Sequence, residues 1–409
     1  MIVVVGAGVA GLAAAGFLRA RGVAVTLIEA GPRIGGRAWT TELAGAPFDQ
    51  GASWLHDGDR NPLAALAGPA DGLVESGGPE RVSVGGRLAT AAELVAYGAA
   101  WDGLDAVVAP ALAGPDMTLA AAMGPMMGDA WAPLVALWEG AIIAAADADR
   151  LGLWDWHRNR LEGRNLVPRA GVGAYLAARL ATEVWLETPA TRVDWGGRGV
   201  AVETARGVIR AEAAIVTVST GVLAAGGIRF EPALPVEVAA AAHALPMGLL
   251  SKVGFIELEF SGEGRLGLAD GTGVVDRAGR MTFVAWPEGR PHVAGFMGGR
   301  LAWEVAGDAE AAEALAREEL GRALGRDAIR GLVCGAVTGW GTDVLSRGAY
   351  AYAGPGDAGA RDVLEAAFVG ERVVFAGEAT RTDGLAGTVA GAYLSGRAAA
   401  ARVLECEGL

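Results

Sequence analysis

The first forty residues constrain this chain of 409 residues more than any other stretch. An apolar, β-branched run, Ile2–Val5, leads directly into a Gly-x-Gly-x-x-Gly pattern formed by Gly6, Gly8 and Gly11. A helix-compatible stretch follows, and a second β-branched run ends in Glu29. A strand, a glycine turn, a helix, a strand and an acid in this order and spacing form the dinucleotide-binding fingerprint. The sequence therefore predicts an α/β fold with a Rossmann-type domain.

Each residue of the fingerprint has a chemical role. Gly6 permits a tight turn, Gly8 lets a pyrophosphate approach the backbone, and Gly11 lets helix and strand pack closely. The free N–H groups at the helix N-terminus, around Ala10, are expected to bind phosphate. Glu29 is expected to accept hydrogen bonds from ribose hydroxyls. The alternative is a glycine-rich turn in another α/β fold.

A second glycine pair follows in the segment Ile34-Gly35-Gly36-Arg37. An arginine can bind phosphate through two parallel hydrogen bonds. The stretch from Glu29 to Arg37 resembles the Gly-Gly-Arg extension of FAD-containing amine oxidases, which implies FAD rather than NAD. The resemblance implies cofactor contacts at Ala30, Arg33, Gly36 and Arg37.

The next stretch, 49–56, resembles the Asp-x-Gly-Ala-Ser-Trp-x-His segment of polyamine oxidases. In that family the segment passes by the flavin, and its histidine lies near the amine. The resemblance therefore implies that His56 contacts the substrate, whereas an ordinary loop histidine is the alternative. It implies cofactor contacts at Gly51, Ala52, Ser53 and Trp54.

One lysine stands in an otherwise apolar segment. Lys252 is surrounded by Leu249, Leu250, Val253 and Phe255. A buried lysine is rare unless it is paired or functional. In polyamine oxidases, a lysine in such surroundings holds a water beside flavin N5. The resemblance therefore implies a catalytic role for Lys252, with a plain core lysine as the alternative.

The C-terminal part resembles the closing FAD motif of the amine oxidases. A strand ends in Gly377-Glu378, and a final helix begins near Thr388. The N-terminus of such a helix stabilises negative charge, as on a reduced flavin ring. The segment Thr191-Arg192-Val193 resembles the strand whose valine backbone meets the adenine. The resemblance covers nearly the whole chain and implies further cofactor contacts at Val193, Trp340, Gly377, Glu378, Thr388 and Val389.

The chain departs from the family pattern at two positions. Monoamine oxidases link FAD through a cysteine where this chain has Ala349, so FAD is expected to bind without a covalent bond. Many members enclose the amine between two aromatic rings. Tyr350 corresponds to one ring, but the other position holds Thr388, as in the histone-demethylase branch. Tyr350 and Thr388 are the expected substrate contacts, and the identity of the amine stays open.

The chain is long enough for two domains, and 52% of its residues are apolar, which suffices for a large core. The expected division is a discontinuous FAD-binding domain, residues 1–78, 165–235 and 340–409. Residues 79–164 and 236–339 would form an α+β substrate-binding domain. Within it, 79–164 is interpreted as a helical insertion that covers the site. Its acids, Glu139, Asp147 and Asp149, are expected to be solvated, with attraction of an ammonium as the alternative.

Composition limits the partners. A formal net charge of −13 argues against nucleic acid as the main partner. Cys334, Cys406 and the four scattered histidines form no disulfide or metal pattern, so we expect no metal and a cytoplasmic location. No uncharged apolar run reaches the ~18 residues of a membrane span. The expected partners are a small amine and O₂, and the oligomeric state stays open.

The sequence leads to the hypothesis of an FAD-dependent amine oxidase. A hydride would pass from an amine C–H to flavin N5, giving an imine, an aldehyde and, with O₂, hydrogen peroxide. An L-amino acid oxidase is disfavoured because 53–56 supplies no arginine for a carboxylate. A carotenoid-desaturase-like or protoporphyrinogen-oxidase-like enzyme would share the first forty residues, but the Lys252 and Trp340 segments favour an amine oxidase. A flavin-binding protein without turnover is the remaining alternative.

Overall fold

The structure, a computed structural model, describes residues 1–257 and 266–407. The strands in these ranges are β1 (Ile2–Val5), β2 (Val25–Ile28), β3 (Thr40–Leu43), β4 (Ala46–Asp49), β5 (Val74–Glu75), β6 (Glu80–Val84), β7 (Arg87–Leu88), β8 (Leu166–Val167), β9 (Ala190–Asp194), β10 (Val200–Thr204), β11 (Gly207–Ala211), β12 (Ala213–Val216), β13 (Arg229–Glu231), β14 (Met247–Gly248), β15 (Leu250–Glu257), β16 (Thr272–Asp276), β17 (Thr282–Ala285), β18 (His292–Gly298), β19 (Leu332–Val337), β20 (Tyr350–Ala351), β21 (Phe368–Val369) and β22 (Val373–Phe375). The α-helices are α1 (Val9–Arg19), α2 (Ala91–Leu112), α3 (Leu119–Ala122), α4 (Ala132–Ala136), α5 (Leu153–Arg158), α6 (Val172–Arg179), α7 (Thr220–Ala224), α8 (Val236–Ala244), α9 (Gly299–Glu304), α10 (Ala309–Leu324), α11 (Ala360–Ala366) and α12 (Val389–Glu407).

One sheet has five strands in the order β2-β1-β12-β22-β21, and all but β21 are parallel. Val4 in β1 lies opposite Leu27 on one side and Ile215 on the other. Apolar side chains fill both faces of β1, as expected of a parallel strand between layers. Helices α1 and α12 pack closely, since a Cβ at Gly396 would lie only 2.0 Å from the Ala10 carbonyl oxygen. The predicted α/β fold is therefore confirmed.

A second sheet has seven strands in the order β19-β15-β18-β17-β16-β6-β7. Its neighbours are antiparallel except for β16 and β6. Phe255 and Trp286 are buried between this sheet and helix α10. A strand was expected over 251–260; the described strand is β15, and residues 258–260 lie outside the described part of the chain. Lys252 is on this strand, so the sheet positions the lysine.

The segment 79–164 corrects the expectation of a purely helical insertion. It begins with β6 and β7, which form an edge of the seven-stranded sheet. The hairpin turn between them is Gly85-Gly86, and both glycines have positive φ, +61° and +86°. A two-residue type I′ hairpin turn requires this conformation, so the glycine pair was the signal that the sequence analysis missed.

The remainder of the segment is helical and packs around its own apolar core. Leu104, Trp131 and Trp156 are buried in that core. A π-helix, Leu137–Ile142, follows α4. The two ends of segment 79–164 lie close together, because β5, which precedes the segment, pairs with β8, which follows it. None of the helices in the described part of the chain has the length and apolar composition needed to cross a bilayer.

Candidate active site

A cavity of about 1090 Å³ runs from the first glycine turn to the helical insertion. This volume lies slightly above the usual range for small-ligand sites of about 300–1,000 Å³. Two predicted site residues, Gly11 and Val193, do not belong to its lining among the described residues. The predicted residues that do line it are Gly6, Gly8, Ala10, Glu29, Ala30, Arg33, Gly36, Arg37, Gly51, Ala52, Ser53, Trp54, His56, Lys252, Trp340, Tyr350, Gly377, Glu378, Thr388 and Val389.

The glycine turn after β1 has the geometry of a phosphate loop. Gly6 has a φ of +100°, which favours glycine. A Cβ on Gly11 would lie 1.8 Å from the Gly6 carbonyl oxygen, so Gly11 serves close packing rather than the cavity wall. A Cβ on Gly8 would instead point into open space in the cavity. Helix α1 begins directly after Gly8, and its first N–H groups have no acceptor within the helix.

The second glycine pair lies against the first. The Gly35 N–H donates to the Ala7 carbonyl oxygen at 2.8 Å. A Cβ on Gly36 would lie 3.2 Å from the Gly8 Cα, so the two turns are in direct contact. Arg33 donates to the Gly36 carbonyl oxygen at 2.8 Å. The two glycine segments therefore form one wall with space for a phosphate group beside Gly8.

Glu29 lies immediately after β2, at the same end of the sheet. Its Oε2 accepts from the Ala7 N–H at 2.7 Å, and its Oε1 accepts from the Gly31 N–H at 2.8 Å. Each carboxylate oxygen can accept a second hydrogen bond. The carboxylate is thus held in place and keeps capacity for the hydroxyls of a bound ribose.

We expect Glu29→Ala to weaken FAD retention by about 1–3 kcal/mol, because hydrogen bonds to a charged acceptor are lost. The dissociation constant, followed by flavin fluorescence after dilution, should rise at least several-fold. Glu42→Ala, at an exposed position of β3, is the control and should leave retention unchanged. Equal retention in all three proteins would rule out Glu29 as a ribose ligand.

An ion pair between the partly buried Arg37 and the buried Glu378 also lines the cavity. Arg37 Nη1 donates to Glu378 Oε1 at 2.7 Å and to the Ala349 carbonyl oxygen at 2.8 Å. Glu378 Oε1 also accepts from the Ala351 N–H at 3.2 Å. Glu378 Oε2 is buried and has no hydrogen-bond partner among the described residues. An unpaired buried carboxylate oxygen is costly, so this atom suits a hydroxyl group of a bound cofactor.

Helix α12 adds its N-terminus to the same wall. The Thr388 Oγ1 donates to the Leu385 carbonyl oxygen at 2.8 Å and accepts from the Gly391 N–H at 2.9 Å. The Thr388 hydroxyl is therefore occupied as a helix cap. Val389, the first residue of the helix, lines the cavity. The residues present fit FAD: there is open space at Gly8, an unpaired oxygen at Glu378, and helix N-termini for negative charge.

Lys252 is 3% exposed and lines the cavity. Its Nζ donates to the Asp49 carbonyl oxygen at 2.7 Å. It also donates to the Gly51 carbonyl oxygen and to Ser53 Oγ. Burial lowers the pKa of Lys252 to about 8, and the nearby Asp49 carboxylate opposes this shift. All three N–H groups of the ammonium have protein acceptors, so holding a water would require one of these bonds to be exchanged.

His56 presents a defined tautomer to the cavity. Its Nδ1 lies 2.8 Å from Asn165 Oδ1. Because that oxygen can only accept, Nδ1 carries the proton and Nε2 keeps the lone pair. Burial lowers the pKa of His56, and the hydrogen bond with Asn165 opposes this shift. The imidazole is therefore neutral at neutral pH and can accept a hydrogen bond.

Tyr350 joins the cavity to the helical insertion. Its hydroxyl donates to the Ile143 carbonyl oxygen at 2.9 Å, with the Ile142 carbonyl oxygen at 3.3 Å. Burial raises the pKa of the Tyr350 hydroxyl, so it stays protonated. The ring lines the cavity, whereas the hydroxyl anchors the end of the π-helix.

Three features of the cavity could not be derived from the sequence. Asp155 and Arg361 form an ion pair and line the cavity, although each is only 2% exposed. Glu139 is 9% exposed, so the expectation that it is solvated was wrong. Thr188 and Ala190 line the cavity, whereas Val193, on the same strand as Ala190, is buried and does not. No local pattern marks these residues, because each depends on contacts between distant segments.

Comparison with known proteins identifies the family. The family model described as "Flavin containing amine oxidoreductase" matches residues 121–404. A second model, described as "NAD(P)-binding Rossmann-like domain", matches residues 4–67. Together they extend over both glycine turns, Lys252 and the closing helix.

The chain is also similar to individual proteins. Polyamine oxidase 4 of Oryza sativa subsp. japonica is 30% identical over 437 residues, which cover 98% of this chain and 87% of that protein. Lysine-specific histone demethylase 1 homolog 2 of Arabidopsis thaliana is 28% identical over 451 residues, which cover 99% of this chain. The alignment covers only 58% of that demethylase homolog.

Solved structures share the fold. A wild-type putrescine oxidase bound to putrescine has a TM-score of 0.79 at 21% identity, covering 99% of this chain and 98% of that chain. Cyclohexylamine oxidase from Brevibacterium oxydans IH-35A has a TM-score of 0.77 at 23% identity, covering 100% and 99%. The family expected from the sequence is confirmed: this chain belongs to the flavin-containing amine oxidoreductases.

Proposed function

We propose that this protein binds FAD without a covalent bond and oxidises a small amine, with O₂ as the electron acceptor. The amine carbon loses a hydride and its nitrogen loses a proton, which leaves an imine. Water converts the imine to an aldehyde and releases the nitrogen as ammonia or a shorter amine. When bound, FAD would supply the redox chemistry, as the acceptor of the hydride at N5 and the donor of two electrons to O₂, with hydrogen peroxide as the product.

One observation carries this proposal. A single cavity is lined at one end by the glycine turns and Glu29, and at the other end by Lys252, His56 and Tyr350. A dinucleotide lying along the first group of residues would direct its reactive end toward the second. The same cavity therefore has space for both a cofactor and a substrate, as hydride transfer requires.

The side chains at the inner end are suited to a neutral amine. The lone pair on His56 Nε2 can accept a hydrogen bond from an amine N–H. The Lys252 ammonium disfavours a second positive charge beside it, which favours the deprotonated amine. A neutral nitrogen keeps the electron pair that forms the imine double bond. These residues orient the amine and exclude water, while the first N–H groups of α12 stabilise negative charge on the cofactor.

The test is a screen for peroxide release. Polyamines, aryl-alkyl amines and amino acids are each mixed with the FAD-loaded protein in air, and peroxide is measured. We expect peroxide and aldehyde from at least one amine. Oxidation that proceeds only with an artificial electron acceptor would contradict the oxidase assignment. Turnover of amino acids alone would indicate an amino acid oxidase, and no turnover would indicate a flavin-binding protein.

The mode of cofactor attachment gives a separate prediction. Ala349 has no sulfur for a thioether, and neither Cys334 nor Cys406 lines the cavity. Acid precipitation of the loaded protein should therefore release all of the yellow colour as free FAD. Ala349→Cys is the informative companion variant, because it restores the thiol at the position used by monoamine oxidases. Flavin that stays with the parent pellet would refute non-covalent binding.

A further inference from the structure

Arg361, in α11, is a buried guanidinium at the cavity wall. It is 2% exposed and lines the cavity. Its Nε and Nη2 donate to the two carboxylate oxygens of Asp155, at 2.7 Å and 2.9 Å. A buried ion pair adds little stability over well-packed apolar side chains, because both charges lose their hydration. The other contacts of Arg361 therefore indicate what the pair does.

The guanidinium also binds two backbone carbonyl groups. Its Nη2 donates to the Ala351 carbonyl oxygen at 3.0 Å, and its Nη1 donates to the Ala379 carbonyl oxygen at 3.1 Å. Ala351 directly follows Tyr350, whose ring lines the cavity. Ala379 directly follows Glu378, whose carboxylate lines the cavity as well. One side chain therefore holds the backbone beside a residue expected to contact the substrate and beside one expected to contact the cofactor.

Strand β20 depends on this support. It pairs with β14 in a sheet of two strands, so it has a strand neighbour on one edge. Ala351, in β20, is 4% exposed. Its N–H donates to Glu378 Oε1 at 3.2 Å, and its carbonyl oxygen accepts from Arg361. Buried backbone groups need partners, so these two side chains take the place of a second neighbouring strand.

Asp155 extends the support to the helical insertion. It belongs to α5, and its Oδ2 accepts from the Ala353 N–H at 2.8 Å. The Tyr350 hydroxyl donates to the Ile143 carbonyl oxygen at 2.9 Å, at the end of the π-helix. The backbone around Tyr350 is therefore fixed to the insertion at two points, and the ring has little freedom to move.

Two ion pairs are linked through one residue. Arg37 pairs with Glu378, and Arg361 pairs with Asp155, with a shortest distance of 2.7 Å in each pair. Ala351 binds the first pair through its N–H and the second through its carbonyl oxygen. A displacement of Arg361 therefore alters the hydrogen bonds of both pairs.

We propose that Arg361 is a positioning residue for both halves of the cavity. It holds Tyr350 toward the amine and Glu378 toward the cofactor, and its pair with Asp155 ties this arrangement to the helical insertion. Arg361 acts through these residues and not by contact with the reacting atoms. The part that concerns the amine rests on the proposed function, whereas the part that concerns the cofactor depends only on FAD binding.

The test is Arg361→Lys. Lysine keeps the positive charge, but its single nitrogen cannot span the Asp155 carboxylate and both carbonyl groups. We expect the dissociation constant of FAD to rise about 10-fold, the effect of about one hydrogen bond. In FAD-saturated protein, kcat/KM for a good amine should fall about 10-fold, because reacting groups are displaced. The visible circular dichroism of the bound flavin should change as well. A pair that only stabilises the fold would lower the unfolding temperature and leave these three quantities unchanged.

Tyr350→Ala tests whether Arg361 acts through Tyr350. Once the ring is removed, its position no longer matters. Arg361→Lys should then lower kcat/KM by no more than about 2-fold, because the effects of coupled residues are not additive. A full 10-fold loss in the Tyr350→Ala background would overturn the proposal.

Arg158→Lys is the matched control. It makes the same change in an accessible pair, with Asp362, that joins the same two helices, and Arg158 does not line the cavity. FAD affinity, flavin dichroism and kcat/KM should match the parent. The proposal is wrong if Arg361→Lys changes only the unfolding temperature, or if Arg158→Lys has the same effects.

A second variant covers the case in which Arg361→Lys does not fold. Asp155→Glu keeps both charges but shifts the guanidinium by the length of one carbon–carbon bond, and the same changes are expected. If the parent oxidises no amine, the proposed function is contradicted. FAD affinity and flavin dichroism would still test the role of Arg361.

Discussion

Lys252→Met is expected to lower the rate of flavin reduction or of reoxidation by about 100-fold, while the variant still folds and binds FAD. Methionine matches the length of lysine and its apolar packing but has no ammonium. The three hydrogen bonds to Asp49, Gly51 and Ser53 are lost together. Gly51 and Ser53 line the cavity, and a displacement of reacting groups on the order of 1 Å costs about 100-fold in rate.

The pH dependence separates this role from a purely structural one. The pKa of Lys252 is lowered to about 8, so the ammonium is mostly present at pH 7 and mostly lost at pH 9. The neutral amine has only two N–H groups for three acceptors. Measured at a constant concentration of neutral amine, the parent rate should therefore change between pH 7 and pH 9, and that change should be absent in Lys252→Met.

Stopped-flow traces measure the two half-reactions separately. Ser53→Ala is the control, because it removes one of the three acceptors and leaves the ammonium in place. Ser53→Ala should lower the rates of flavin reduction and reoxidation less than Lys252→Met does. If Lys252→Met and the parent reduce and reoxidise the flavin at equal rates with a good amine, Lys252 is a core lysine without a catalytic role.

Asp155→Ala is expected to lower the free energy of unfolding by about 3–5 kcal/mol. Asp155 forms two hydrogen bonds with Arg361, from Nε at 2.7 Å and from Nη2 at 2.9 Å. It also accepts from the Ala353 N–H at 2.8 Å. Removing the carboxylate leaves a buried, unpaired guanidinium, which is far more costly than the loss of an exposed pair. Urea unfolding of the variant and the parent gives the difference.

A second ion pair joins the same two helices and provides a matched control. Arg158 in α5 pairs with Asp362 in α11 at 2.8 Å, but both side chains are solvent-accessible. Asp362→Ala should therefore cost less than about 1 kcal/mol. A similar loss in both variants would show that the burial of the Asp155–Arg361 pair adds nothing to its stability.

The parts of the fold that were predicted from the sequence have short-range patterns. The turn at Gly6 and the strands around it follow from a β-branched run and glycine spacing, so they could be placed within a residue or two. The same holds for α10, expected over 310–324 and found over Ala309–Leu324. Strand β6 was missed because its five residues alternate only weakly between apolar and polar types and precede a long alanine-rich segment.

Residues of the candidate site could be predicted only where the resemblance to a known family indicated which distant segments lie together. Lys252 was selected because its neighbours are apolar, but its acceptors come from a loop some 200 residues earlier in the chain. The burial of Glu139 depends on Trp156, which a different helix supplies. Neither contact produces a periodic pattern in the sequence, because side-chain pairs between distant segments depend on tertiary packing and not on local spacing.

The strand order has a consequence for how the protein is made. Strands β1 and β2 are synthesised first, β12 follows at mid-chain, and β22 and α12 come last. A nascent chain that has not yet released β22 leaves one edge of β12 unpaired, and such edges favour aggregation. Glu378 and Val389, which complete the cavity wall, leave the ribosome later still. Cofactor capture is therefore expected to follow the synthesis of β22 and the start of α12.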